Sequence, residues 1–491
     1  MISIVVVNNI KDWNINVKNV EVVPAKTYLT DTRFAEVKNV RIYNLCRSYR
    51  YQSIGYYVSL LAEARGHKVF PGVATIQDVK SQVIMRISSD DLDQLIQKSL
   101  AKIRSERFEL SVYFGKNVAK QYENLSKQLY GLFPLPLFRA TFVHNKKWIL
   151  HNVVSMAVSD IPETHKTYAI QFAEEYFARK QLRSLKKNAT SYDLAILVNP
   201  HEEQPPSNKK AIKNFVAAAE KIGLSTEIIT KEDFSRLAEF DALFIRETTA
   251  VNHHTYRFAQ RAAAEGLVVI DDPESIIKCT NKVYLAELMT RAKISRPKTL
   301  IIHRDNKDVI TSLLGLPCVL KRPDSSFSYG VVKVEDRQHL QLEVDKFLTK
   351  SELIIAQEFM PTEFDWRIGV LDKKPLFACK YYMARGHWQI YNWHGKGGKD
   401  AAFGENESVA LEHVPQHVLK AALKAANLVG NSLYGVDLKE RGGRAYVIEI
   451  NDNPSIDVGY EDSLLQEELY LTIMRSILQR IKIKKEKNTE E

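Results

Sequence analysis

The segment that most restricts the fold lies near the end of the chain, where residues 434–454 read YGVDLKERGGRAYVIEINDNP. Gly442-Gly443 between apolar flanks marks a tight hairpin joining two strands. Side chains two apart on a strand share one face, so Glu449 and Asn451 project together from the returning strand. Counting back from the turn, Asp437 falls opposite that pair. Two carboxylates and an amide oxygen thus converge from adjacent strands. Hard oxygen donors of this kind suit Mg2+ or Mn2+, and Mg2+ is commonly held by one or two carboxylates together with substrate phosphates. Read alone, the pattern is equally an exposed hairpin face with solvated acids. The flanks Tyr446–Ile448 and Ile450 make the strand a buried one, and a buried acid needs a partner. That favours the metal.

Two upstream segments carry further candidates. Residues 316–334 read LPCVLKRPDSSFSYGVVKV. Lys321 closes an apolar strand, a hydroxyl-rich loop follows, and Gly330 precedes another apolar strand. A lysine at the edge of such a loop can hold phosphates with its charge and the loop's backbone N–H groups. The spacing is not that of a Walker A loop, and in isolation the segment reads better as a surface hairpin. Residues 353–367 read LIIAQEFMPTEFDWR. Here an apolar strand ends in Glu358-Phe359, a pair suited to clamp a purine, with Asp365 placed further on for ribose hydroxyls. In isolation this reads as a core strand.

A chain of 491 residues suggests about three domains. Met1–Asn8, Val40–Leu45 and Lys68–Phe70 read as strands around the helical stretch Ile54–Arg65, so the N-terminal part is α/β. A linker is expected at Asn188–Ser191 and a domain boundary near residue 190. Asp193–Val198, Ser225–Ile229, Ala242–Arg246 and Leu267–Ile270 then form an open, mostly parallel sheet. A helix runs from Asn281 to about Ala292, and an α+β region follows. Arg480–Glu491 is charged and poor in apolar residues, which predicts a frayed tail. No internal repeat of fixed period is evident. Arg47, Arg50 and Tyr51, at a strand-to-helix turn, suit an anion less well than they suit a solvated basic loop. His253-His254 has no cysteine or HxxxH partner and reads as a packing or surface pair. His387 is open between a packing role and a site role.

Composition removes several classes. No apolar run approaches the roughly 18 residues of a membrane span, and the N-terminus lacks the pattern of a signal peptide. Cys46, Cys279, Cys318 and Cys379 stand singly, which fits neither a disulfide framework nor a CxxC metal site and suits a reducing cytoplasm. The formal net charge of +10 fits anionic partners but names none. No RNP, KH or zinc-finger pattern accompanies it, so a nucleic-acid partner is not expected.

The order Lys282, Lys321, Glu358-Phe359, Asp365, Asp437, Glu449, Asn451 resembles that of the ATP-grasp superfamily. Within it, residues 193 to about 475 resemble the RimK-like carboxylate–amine (glutamate) ligases, and the first 190 residues resemble the extra N-terminal domain of some of them. His387-Trp388 and Asn392 resemble the amino-group-carrier ligases. The resemblance implies an α/β multidomain fold: an N-terminal α/β domain of unassigned role over 1–190, a pre-ATP-grasp α/β domain over 191–280, a two-lobed α+β ATP-grasp domain over 281–478, and a charged tail over 479–491. It assigns Lys282 and Lys321 to the ATP phosphates, Glu358 and Phe359 to adenine, Asp365 to ribose, and Asp437, Glu449 and Asn451 to Mg2+ or Mn2+. Asn392 falls near the phosphates and the acceptor. Phe359 stands where tyrosine is common, and Ile390 stands where RimK-like sequences tend to carry arginine. Arg385 and Lys380 are therefore both open as the group meeting the transferred phosphate, and Arg385 with Asn392 is the candidate catalytic pair. The basic tract Gly395–Lys399 keeps the character of the family's loop, and a lid is expected around Ser325–Gly330.

The implied activity is ATP-dependent amide formation through an acyl phosphate, adding glutamate or another amino acid to a peptide, protein or small-molecule acceptor. A glutathione-synthetase-like metabolite ligase and a nucleotide-binding regulatory protein without ligase activity are the alternatives. No membrane partner is expected, and self-association into a homo-oligomer stays open.

Overall fold

The computed structural model describes residues 2–13, 20–37, 40–185, 192–324, 330–384, 387–390 and 404–490. The β-branched run Ile2–Val7 (β1) lies in a parallel sheet with Glu21–Pro24 (β2), Val40–Asn44 (β3) and Lys68–Phe70 (β4), in the order β2-β1-β3-β4. The near-continuous burial of β1 and β3 fits parallel strands covered on both faces. Arg107–Tyr113 (β5), Leu137–Asn145 (β6) and Lys147–Ser155 (β7) form an antiparallel sheet. Its side chains Leu110 and Phe142 share one core with Ile4 and Ile42 of the parallel sheet.

A second parallel sheet holds Tyr192–Leu197 (β8), Leu224–Ile229 (β9), Ala242–Ile245 (β10) and Val268–Ile270 (β11), in the order β9-β8-β10-β11. Its strand order is that of the first sheet, and several elements recur two hundred residues apart. Helix Ile54–Ala64 answers to His254–Ala264, Gly66 at φ +70° to Gly266 at φ +77°, and β4 to β11. Val58, Ser59 and Ala62 are buried in the first helix, and Phe258, Ala259 and Ala262 in the second. No repeat is evident in the sequence because the match lies in which positions are buried and where the chain turns, with few identical residues. The two sheets meet by the ends at which their strands start. Arg41 of β3 donates to Asp193 of β8 at 2.6 Å and to the Glu239 carbonyl at 2.6 Å, and Lys68 of β4 donates to the Phe240 carbonyl just before β10.

The remaining strands form two antiparallel sheets. Thr299–Ile302 (β12), Cys318–Lys321 (β13), Val331–Val334 (β14) and Ile354–Glu358 (β15) are ordered β12-β15-β13-β14. Phe364–Leu371 (β16), Lys374–Tyr382 (β17), Asn406–Val409 (β18), Leu433–Arg441 (β19) and Arg444–Asn451 (β20) are ordered β18-β17-β16-β19-β20. Helix Gln416–Val429 lays Val418, Ala422, Ala425 and Ala426 on the second of these sheets.

The charged stretch from 479 differs from the expected tail. Helix Glu467–Glu490 runs through it. Tyr470, Ile473, Met474, Ile477 and Ile481 recur at helical spacing in a core shared with Leu194 and Phe244 of the second parallel sheet. Lys485 pairs with Asp241 at 2.9 Å and lies over the Tyr192 ring. The charges flank a buried stripe, so the segment is ordered by burial in spite of its composition. No helix among the described residues is long and apolar enough to cross a membrane. The expected linker at 188–191, the loop 325–329 and the tract 391–403 lie outside the described residues.

Candidate active site

The Gly442-Gly443 turn sets the register of β19 on β20, placing Asp437 opposite Glu449 and Gly435 opposite Asn451. A bulge between Asp437 and Leu438 re-aims the strand at that point. Gly435 has to be glycine, because a Cβ there would come within 2.7 Å of Pro454 Cβ. From the other side β16 pairs Arg367 with Asp437, and the guanidinium donates to both carboxylate oxygens at 2.7 and 2.8 Å. Asn451 Nδ2 donates to Asp437 Oδ2 at 3.2 Å. The three expected metal donors are therefore together.

Glu449 Oε1 lies 2.8 Å from Lys282 Nζ. Burial pushes its carboxyl up, but Lys282 and Lys321 outweigh that and hold it below the usual carboxylate range. Lys282 is the first residue of helix Lys282–Arg291, with Asn281 as its N-cap accepting from the Val283 and Tyr284 N–H groups. Lys321 is the last residue of β13. Burial pulls its ammonium down to about 8, and Lys282 and Lys439 repel it in the same direction.

Glu358 ends β15 and is tied to Lys298 twice, its N–H donating to the Lys298 carbonyl at 2.8 Å and its Oε2 accepting from the Lys298 N–H at 3.2 Å. Phe359 meets Trp388 edge to face, with centroids 5.9 Å apart, and carries Lys333 Nζ over its ring at 4.6 Å. Asp365 accepts from Lys439 at 2.5 Å and Thr362 at 3.0 Å. Burial nevertheless raises its pKa. Lys282, Lys321, Glu358, Phe359, Asp365, Asp437, Glu449 and Asn451 all line one open cleft. Arg385 and Asn392 lie outside the described residues.

Several residues in and behind this cleft were not singled out by sequence reasoning. Arg367 and Lys439 stand on the same strand faces as Asp365 and Asp437, and a search for cations alternating with acids at spacing two would have found them. Asp452 accepts from Thr249 Oγ1 at 2.8 Å, and burial raises its carboxyl to about 7. Arg246, immediately after β10, is 1% exposed. It donates to the Pro206 and Pro454 carbonyls at 2.5 and 2.8 Å and to Asn453 Oδ1 at 2.6 Å. It thereby joins the second parallel sheet to the chain leaving β20. A charged residue directly after an apolar strand was its only signal.

Comparison with known proteins finds two family models along the chain. The RimK-like ATP-grasp N-terminal domain matches residues 25–172, and the RimK-like ATP-grasp domain matches residues 279–465. A probable alpha-L-glutamate ligase of Vibrio vulnificus is 26% identical over 225 residues, covering 45% of this chain and 71% of the relative. The alpha-aminoadipate–LysW ligase LysX of Saccharolobus solfataricus is 26% identical over 263 residues, covering 49% of this chain and 88% of the relative. Among solved structures, a D-alanine–D-alanine ligase from Bacillus anthracis complexed with ATP aligns at a TM-score of 0.48 and 17% identity, over 60% of this chain and 99% of its own. Two successive matches from one family, together spanning more than half of the sequence, agree with the order of the site residues along it. The chain belongs to the RimK-like ATP-grasp family of carboxylate–amine ligases.

Proposed function

We propose that this ligase uses ATP to activate a carboxylate as an acyl phosphate and joins it to the amino group of an amino acid, with glutamate the first candidate, on a peptide, protein or small-molecule acceptor. The observation that carries the reading is the meeting of Asp437, Glu449 and Asn451 with Lys282 and Lys321 in one cleft. The naming of the Vibrio relative as a probable alpha-L-glutamate ligase and of the Saccharolobus relative as an alpha-aminoadipate–LysW ligase supports the substrate class.

The reaction joins a substrate carboxylate oxygen to the γ-phosphorus of ATP as ADP leaves. The amine then attacks the acyl carbon, inorganic phosphate departs, and the amine nitrogen gives up a proton. In phosphoryl transfer a protein works mainly by positioning and charge neutralisation. Lys282 and Lys321 supply buried cations for the phosphate oxygens. Lys321 is poised for this, because polyphosphate returns to it the favourable charge that burial takes away. Glu358 and Phe359, with Trp388 against the ring, receive the adenine, and Asp365 with Lys439 meets the ribose. Asp437, Glu449 and Asn451 fit a hard dication by donor chemistry, being two carboxylates and an amide. Mg2+ or Mn2+ held there supplies further neutralisation of the phosphate oxygens. Arg367 holds Asp437 in place through both carboxylate oxygens.

Residues 191–280 and 281–478 are the proposed substrate-side and ATP-binding units, with 1–190 as an appended domain. All four cysteines are free and buried, in keeping with a reducing compartment. The test is ADP release from the full chain with ATP, Mg2+ and a panel of amino acids, with and without fractionated cell-extract acceptors, followed by mass spectrometry of the product. Turnover that needs both an amino acid and an acceptor supports the reading. Turnover no higher than that of an Asp437→Ala control overturns it.

A further inference from the structure

We propose that Glu247, His253 and His254 form a binding site for a divalent transition-metal ion of the Zn2+ class, separate from the oxygen donors around Asp437. One ligand atom from each of these residues lies within 4.8 Å of the other two. His254 Nε2 is 2.9 Å from Glu247 Oε2. Glu247 is 2% exposed, and its other oxygen, Oε1, is buried without a hydrogen-bond partner. An orphaned buried carboxylate oxygen is costly, and a cation is the partner such an oxygen lacks. Two imidazoles and one carboxylate select Zn2+, Co2+ or Ni2+ over Mg2+. Three protein ligands leave at least one coordination position for water or a substrate group.

The place in the fold agrees. In the order β9-β8-β10-β11 the helices after β8 and β10 lead to opposite sides. The crevice beyond the ends of those two strands is where open α/β sheets take their ligands. Glu247 leaves β10 at that crevice, and Glu202 from the loop after β8 fixes the adjoining turn by accepting from the Thr248 N–H at 3.1 Å. The neighbouring Thr248 and Thr249 line the ATP cleft.

The internal repeat supplies an independent argument. The positions corresponding to Glu247, His253 and His254 in the first sheet are Arg47, Ser53 and Ile54. There Ser53 caps its helix by accepting from the Tyr56 N–H, and Arg47 pairs with Asp12 at 2.5 Å. His253 occupies the same N-cap and makes no side-chain cap bond. Ser is among the best N-caps and histidine is not, so the second copy gives up a local stabilisation that the first keeps. Its two histidines and buried glutamate are not the residues with which the first copy closes the same turn.

The experiment titrates Co2+ into tag-free full-length protein holding excess Mg2+ and ATP, read by visible d–d absorption and by metal content after desalting. One equivalent of Co2+ with d–d bands is expected, displaced by Zn2+. His253→Ser restores the capping residue of the first copy and so preserves the helix. It is expected to abolish the bands and to weaken binding by more than the roughly 10–100-fold that an outer-shell change costs. Glu247→Gln loses the bands likewise, and Asp437→Asn keeps them. Absence of the bands in the wild type, or their persistence in His253→Ser and Glu247→Gln, overturns the site. Neither readout depends on ligase turnover.

Discussion

Lys282 Nζ and Glu449 Oε1 stand 2.8 Å apart, a cation directed at phosphate pairing with a carboxylate directed at metal. Without nucleotide each neutralises the other in a buried setting, where an uncompensated charge is expensive. Glu449→Gln therefore has two effects. Acceptor-dependent ADP release falls on the order of 10²–10³-fold, and loss of the carboxylate charge beside the buried Lys282 ammonium destabilises the nucleotide-free chain. ATP analogues recover part of that stability, which thermal unfolding with and without a non-hydrolysable nucleotide measures.

Arg246 is the joint between the second parallel sheet and the chain leaving β20. Arg246→Met keeps much of the side-chain length but leaves the Pro454 carbonyl and Asn453 Oδ1 without this donor, while the Pro206 carbonyl keeps the Ile456 N–H at 2.9 Å. Each buried group left unpaired costs about 1–3 kcal/mol. The expected outcome is a destabilisation of several kcal/mol in urea unfolding, together with loss of ligase activity.

Ile481 belongs to the buried stripe of the last helix and is 2% exposed. Ile481→Ala is expected to cost about 2–4 kcal/mol in denaturant unfolding. The exposed neighbour Ile483, at 45% exposure, serves as a control whose replacement by alanine changes stability by less than about 0.5 kcal/mol.

His67 sits between the Tyr28 hydroxyl at 2.8 Å and the Val37 carbonyl at 2.9 Å, an arrangement suited to the neutral ring. Burial lowers its pKa below the ordinary 6.5, with Arg65 contributing in the same direction. The unfolded chain takes up a proton near 6.5 that the folded chain declines, so stability falls as pH drops from there toward the folded-state value. His67→Gln removes this contribution. Its unfolding midpoint is expected to vary less than that of the wild type across that window, the two pH dependences becoming alike well above 6.5.

The hairpin of Asp437, Glu449 and Asn451 was legible because a Gly-Gly turn and a two-residue period are local rules that fix register without knowledge of the rest. Glu358, Phe359 and the two lysines were legible only as an ordered set, since each alone looks like ordinary strand or loop. The alternation of Asp365 with Arg367 and of Asp437 with Lys439 was there to be read locally, but their pairing across strands, Arg367 with Asp437 and Lys439 with Asp365, was not, because cross-strand register is long-range information. The last helix was misread because its lysines dominate the composition, whereas Ile473, Ile477 and Ile481 decide its fate by spacing. The repeat stayed hidden for a related reason: burial pattern and turn position repeat, and identity does not.

The contact of the two parallel sheets through Arg41 and Lys68 sets a direction for whatever the first unit does. A parallel sheet presents its loops where its strands finish, and these two sheets touch where their strands start. Their working edges therefore face outward, back to back, one toward the ATP cleft and the other away from it. A partner seated on the Arg47–Gln52 edge of the first unit leaves the nucleotide's entrance clear. Any message it sends crosses the shared base, where the Arg41–Asp193 and Lys68–Phe240 contacts stand beside the packing of helix Glu123–Leu132 on Lys231–Glu239. The appended unit is thus oriented as a handle on the ligase and not as a cover over it.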